Sequence, residues 1–100
     1  MSRTWEDAQR EDARLVVLRE LQRQNDGRLN ETLLLKVLDS FGHRRTRDWL
    51  RTQLRAMADL GAVALTEQGT VMIAQITRTG MDHVERRSVI EGIARPSPEL

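Results

Sequence analysis

The chain contains no cysteine. That excludes a disulfide framework and a thiolate-held metal, and it fits a reducing cytosol. Long apolar runs are missing as well. The longest, Leu15–Leu18, Ala62–Leu65 and Val71–Ala74, are four residues each, whereas a membrane-spanning helix needs about 20. Near the amino end stand Glu6, Asp7, Glu11 and Asp12, the wrong charge for a secretory leader. No Gly-rich phosphate loop, GxSxG elbow or HExxH helix occurs, so no catalytic residue is assigned and no enzyme is expected. Ser40 lies near His43, but no acid is placed to orient that imidazole. The two histidines, His43 and His83, are far apart in sequence. A metal wants three or four ligands at set spacings, so neither metal nor cofactor is expected. His43 reads as a turn residue within reach of a phosphate.

Lysine is almost absent. Of sixteen basic residues, Lys36 alone is not Arg. Arg suits bidentate contact with guanine or phosphate, although a genome rich in guanine and cytosine yields the same preference. The net charge of +1 decides nothing about partners; its distribution does. Residues 43–55 carry Arg44, Arg45, Arg47, Arg51 and Arg55 against Asp48 alone. A local excess of this kind is what attracts a polyanion.

That basic stretch lies in Phe41–Gly61, FGHRRTRDWLRTQLRAMADLG. A Gly42-centred turn runs into a helix that Thr46 caps and Gly61 closes. At about 100° per residue, Leu50, Leu54 and Met57 share one side, while Asp48, Arg51, Thr52 and Arg55 lie opposite with Arg47 between them. This is the form of the second helix of a helix-turn-helix. Trp49 falls at the edge of the apolar side and reads as half-buried packing.

The chain divides simply around it. Residues 1–5 are expected to fray. A first helix runs from about Glu6 to Gln24, with a polar first half that must face solvent or a partner, and Leu15, Leu18 and Leu21 form its apolar stripe. Asn25-Asp26-Gly27 turns the chain, and Arg28–Asn30 is a short extended piece. Asn30 caps a second helix to about Phe41. After Gly61 the apolar period changes from 3.6 to 2, giving strands Ala62–Thr66 and Thr70–Gln75 joined by Glu67-Gln68-Gly69. Thr77 caps a fourth helix to about Arg87. Residues 88–100 form a tail in which Val89, Ile90 and Ile93 must pack on their own domain or on a dimer partner. One hundred residues make one domain. The expected class is mostly α with a small β-hairpin: a winged helix-turn-helix of three helices, a two- to three-stranded wing, and a fourth helix with a tail.

Several pieces, in order and spacing, resemble the small winged-helix proteins encoded in Mu-like prophages: Leu29-Asn30-Glu31-Thr32-Leu33-Leu34, Phe41-Gly42-His43-Arg44, Thr46-Arg47-Asp48, Leu60-Gly61-Ala62-Val63, Ile76-Thr77-Arg78-Thr79-Gly80 and Arg95-Pro96-Ser97-Pro98. The resemblance runs from about Leu15 onward. It implies a phage origin, a cytoplasmic site in the bacterial host, a winged-helix fold and a transcriptional-regulator-like label. The chain is also loosely similar to ArsR-type repressors, but lacks the Cys or clustered His and acid ligands of their metal site.

These readings lead to a homodimer that binds double-stranded DNA through Arg44, Arg45, Arg47, Arg51, Thr52, Arg55 and Arg78. Arg47, Arg51 and Arg55 would read bases, and Arg44, Arg45 and Arg78 would hold phosphates. Against it stands Glu67, which puts a negative charge in the hairpin loop. The alternative is a phage adaptor, a protein-interaction module that uses the same fold without binding DNA.

Overall fold

The computed structural model describes residues 3–97. Helix α1 spans Trp5–Arg23. Of the five residues expected to fray, 1 and 2 lie outside the described residues, while Thr4 caps the helix and Trp5 begins it. The Thr4 side chain accepts from the Asp7 N–H while the Asp7 carboxylate accepts from the Thr4 N–H, a reciprocal capping box. Those bonds hold the Asp7 carboxyl below its ordinary value, with Arg10 adding a smaller push.

Strand β1 (Arg28–Asn30) follows, and Asn30 does double duty. It ends the strand and caps α2 (Glu31–Ser40) by accepting from the Leu33 N–H at 2.9 Å. Helix α3 (Arg47–Asp59) is capped by Thr46 through the Trp49 N–H. Strands β2 (Val63–Gln68) and β3 (Val71–Ile76) form a hairpin. Its loop is shorter than expected. Gln68 still pairs with Val71, so the turn is Gly69-Thr70, with Gly69 at φ +63°. Helix α4 spans Arg78–Val84, stopping short of Arg87.

The sheet has antiparallel order β1-β3-β2. Ala74 faces Leu29 on one side and Leu65 on the other. Met72, Ala74 and Ile76 alternate into the core, where they meet Leu18 and Leu21 of α1, Leu34 and Leu38 of α2, and Leu50, Leu54 and Met57 of α3. Over the described residues the result is a compact α/β unit of four helices and one three-stranded sheet.

The tail packs on its own domain. Ile90 and Ile93 are buried with the core, while Val89 stays exposed. His83 clamps the segment: its Nδ1 accepts from the Ile90 N–H at 3.0 Å, and its Nε2 bonds the Ala94 carbonyl at 2.9 Å. The neutral tautomer with its proton on Nε2 satisfies both. Ala94 N–H donates to the Glu11 carbonyl, and Arg14 donates to the Gly92 carbonyl and to Gln53 Oε1. Burial lowers Arg14 from its ordinary value, and neighbouring Arg10 adds to that. The polar first half of α1 therefore does meet a partner, namely the tail and the α2–α3 turn of the same chain. The last three residues of the expected tail lie outside the described residues.

Candidate nucleic-acid interface

The α2–α3 turn and α3 place the expected DNA-contacting residues in three different situations. Arg51 is the most committed. Its guanidinium meets the Glu31 carboxylate in a two-pronged pair, Nε to Oε1 and Nη2 to Oε2, both 2.7 Å. The same Nη2 donates to the Thr70 carbonyl in the hairpin turn at 2.7 Å. Glu31 is wholly buried and also accepts from the Met72 N–H of β3 at 2.7 Å. Arg51 thus ties α3 to the first residue of α2 and to the hairpin. The Arg51 hydrogen bond outweighs burial and holds Glu31 down to about 2 from an ordinary 4.5; the Met72 N–H and the charges of Arg51 and Arg47 act in the same direction. Arg51 is raised in turn, chiefly by Glu31. From the sequence, Arg51 is expected to read a base. The structure places it against Glu31 instead. Twenty residues separate the two, and Glu31 looks in the sequence like an ordinary acid at a helix start.

Arg45 is also engaged. It donates to Gln9 Oε1 at 2.8 Å, lies 3.3 Å from Glu6 Oε2, and stacks 4.4 Å from the Trp49 ring centroid. It joins the α2–α3 turn to the first turns of α1 and covers the half-buried Trp49. His43 is buried, not presented to solvent as a phosphate contact, and bonds Asp12 of α1 at 2.7 Å.

Arg44, Arg47, Thr52 and Arg55 are exposed. Arg44 reaches Asp39 at 3.1 Å, although its side chain is 91% accessible. Arg47 donates to Thr32 Oγ1 at 3.2 Å and stands 3.9 Å from Glu31. The Thr52 hydroxyl donates to the Asp48 carbonyl. Arg55 has no ion-pair partner among the described residues. Arg78 is exposed on α4, two residues beyond Ile76 and so at the end of β3 away from the hairpin turn. The structure therefore gathers Arg47, Thr52 and Arg55 on the outward side of α3, leaves Arg78 apart, and brings Glu6, Asp39 and Glu31 from other elements to meet the arginines. Among the described residues no group of acids, His or Cys is placed to hold a metal ion, and no helix is long and apolar enough to cross a membrane.

The uncharacterised protein gp26 of Escherichia phage Mu is 35% identical over 88 residues, which cover 88% of this chain and 91% of that protein. The chain belongs to the phage Mu gp26 family. No family profile matches it, and no solved structure matches it. Within the gp26 family, this member shows how an arginine-rich segment is folded: Arg45 and Arg51 as internal struts, Arg47 and Arg55 as outward charges.

Proposed function

We propose that this gp26-family protein is a winged-helix regulator of transcription that docks on double-stranded DNA, with α3 entering the major groove as a homodimer on two half-sites. The order α1-β1-α2-α3-β2-β3, with β1 paired along β3, supports the winged-helix reading. The observation that carries the DNA reading is the outward side of α3. Arg47, Thr52 and Arg55 are exposed there, while Leu50, Leu54 and Met57 on the other side are wholly buried. A good bidentate Arg–guanine contact is worth about 1–3 kcal/mol of discrimination.

The contact set is smaller than the sequence suggests, because Arg45 and Arg51 are held elsewhere. With Arg44, Arg47 and Arg55 as the phosphate or base contacts of each chain, log K falls against log salt with a slope near −3 per chain bound, and roughly twice that for a dimer. Fluorescence anisotropy of a labelled random duplex across a salt series measures this. Arg47→Ala with Arg55→Ala abolishes the low-salt signal while leaving the circular dichroism unchanged. A double variant that still binds as wild type defeats the proposal. Arg51→Ala is the wrong probe, since it strands the buried Glu31 carboxylate.

A second reading, a protein-interaction module, draws on the acids that meet the arginines and on two exposed aromatics. Trp5 and Phe41 flank a hollow of about 360 Å³ that also takes in Gln9, Asp12 and His43. Failure of any duplex to bind at low salt favours this reading.

A further inference from the structure

We infer that the cleft between the end of α1, the end of α4 and the tail is a binding site for the phosphate group of a small phosphorylated molecule. Two adjoining hollows form it. One, about 250 Å³, is lined by His83, Arg86, Ser88, Val89, Arg95 and Pro96. The other, about 480 Å³, shares Arg86 and Pro96 and adds Arg19, Gln22 and Arg23 of α1 with Val84 and Ser97. Four arginines and two serines thus line the two adjoining hollows, and among the described residues no carboxylate does, Glu85 standing beside them as the acceptor of Gln22.

The contrast with α3 gives the cleft its meaning. There, acids from neighbouring elements meet the arginines. Here only Arg23 has an acid, Glu20 at 3.4 Å, and Arg19, Arg86 and Arg95 make no ion pair among the described residues. Guanidiniums without counter-ions, held around a concavity with apolar walls at Val84, Val89 and Pro96, suit a compact oxyanion carried on a small molecule. The walls are fixed in advance. His83 bonds both Ile90 and Ala94, and Arg14 and Glu11 fasten Gly92 and Ala94 to α1.

Arg86 adds an independent sign. It has φ +65°, the only non-glycine left-handed residue among those described. It closes α4 where glycine is normally favoured, its N–H bonding the His83 carbonyl at 3.1 Å. Residues held in that conformation concentrate at functional sites. The guanidinium it carries lines both hollows.

This inference is independent of the reading of α3. It is tested by titrating the ¹⁵N-labelled full chain with inorganic phosphate, with adenosine 5′-monophosphate and with a random duplex, following backbone amides and arginine side-chain N–H signals. Phosphate and the mononucleotide are expected to shift Arg19, Arg86, Arg95 and residues 84–97, and to saturate. Arg86→Gly with Arg95→Gln weakens both at least tenfold; because glycine suits the Arg86 backbone, the fold survives, as an otherwise unchanged spectrum checks. Shifts scattered over all arginines without saturation overturn the inference, as does unchanged affinity in the double variant. Shifts in the cleft caused by duplex but by neither small ligand also overturn it, because the site then belongs to a nucleic-acid backbone. Glu99 lies outside the described residues. Phosphate binding that appears only in Glu99→Gln means the guanidiniums serve an internal carboxylate, and the inference falls.

Discussion

At the scale of single residues, Glu31 decides more than any arginine. A carboxylate is buried at the junction of α2, α3 and β3 and is tolerable there because it receives three hydrogen bonds, two from Arg51 and one from the Met72 N–H. Removing the charge leaves Arg51 half-satisfied, so Glu31→Gln is expected to lower stability by about 2–4 kcal/mol. The pH dependence follows from the lowered folded value. Unfolded, Glu31 titrates near 4.5; folded, near 2. The unfolded state therefore takes up a proton first as the pH falls. The stability from this carboxylate is complete above about 4.5 and is lost progressively toward 2. Urea midpoints measured between about pH 6 and pH 2 should fall less steeply with acid in Glu31→Gln than in wild type. Parallel curves for the two proteins would show that the ion pair contributes nothing to acid sensitivity.

At the scale of elements, local chemistry placed most boundaries. Asn30, Thr46 and Thr77 each cap the helix expected of them, and the change of apolar period after Gly61 marks the hairpin. The Thr4-x-x-Asp7 box at the start of α1 is legible in the sequence as a capping signal. What local pattern does not carry is long-range partnership. Nothing near Glu31 announces Met72, forty-one residues on. Nothing near His83 announces that a tail will wrap it, so a core histidine looks like a surface one. Arg51 and Arg45 look free because their acids belong to other elements. Gly80 is another such case. It sits in the first turn of α4, and a β-carbon built there would stand 2.4 Å from the Ala62 carbonyl oxygen and 2.9 Å from Ile76 Cγ1. That carbonyl cannot retreat freely, because the N–H and hydroxyl of Thr77 both bond it. Gly80→Ala should therefore push α4 off the sheet and cost about 1–3 kcal/mol, despite alanine's better helix propensity. A thermal midpoint equal to or above wild type would show that α4 is not pressed against Ala62.

At the scale of the whole molecule, the tail closes the structure. Without it, α1 would present its polar half and part of its apolar stripe to water, as the sequence taken alone suggests. With it, Ile90 and Ile93 complete the core, and Ala94 and Gly92 fasten back to α1 about eighty residues earlier in the chain. Two of the three tail aliphatics that could have joined two subunits, Ile90 and Ile93, are thus used within one, and Val89 alone of the three stays exposed. The consequence is a stability prediction. Burying an isoleucine side chain contributes about 1.5–3 kcal/mol, so a chain ending at Arg87 should lose about 3–6 kcal/mol from these two alone. Set against the roughly 5–15 kcal/mol of an ordinary domain, that loss takes a large share of the total. It also leaves the ring nitrogens of His83 without Ile90 and Ala94. The shortened chain is expected to unfold at a much lower urea concentration, and the α1 face it bares should promote association visible by light scattering. Substituting Val89→Ala, which removes an exposed side chain from the same segment, should leave the midpoint within about 0.5 kcal/mol of wild type. Equal losses from Val89→Ala and Ile93→Ala would mean that the segment stabilises by chain connectivity and not by burial of its inward side chains.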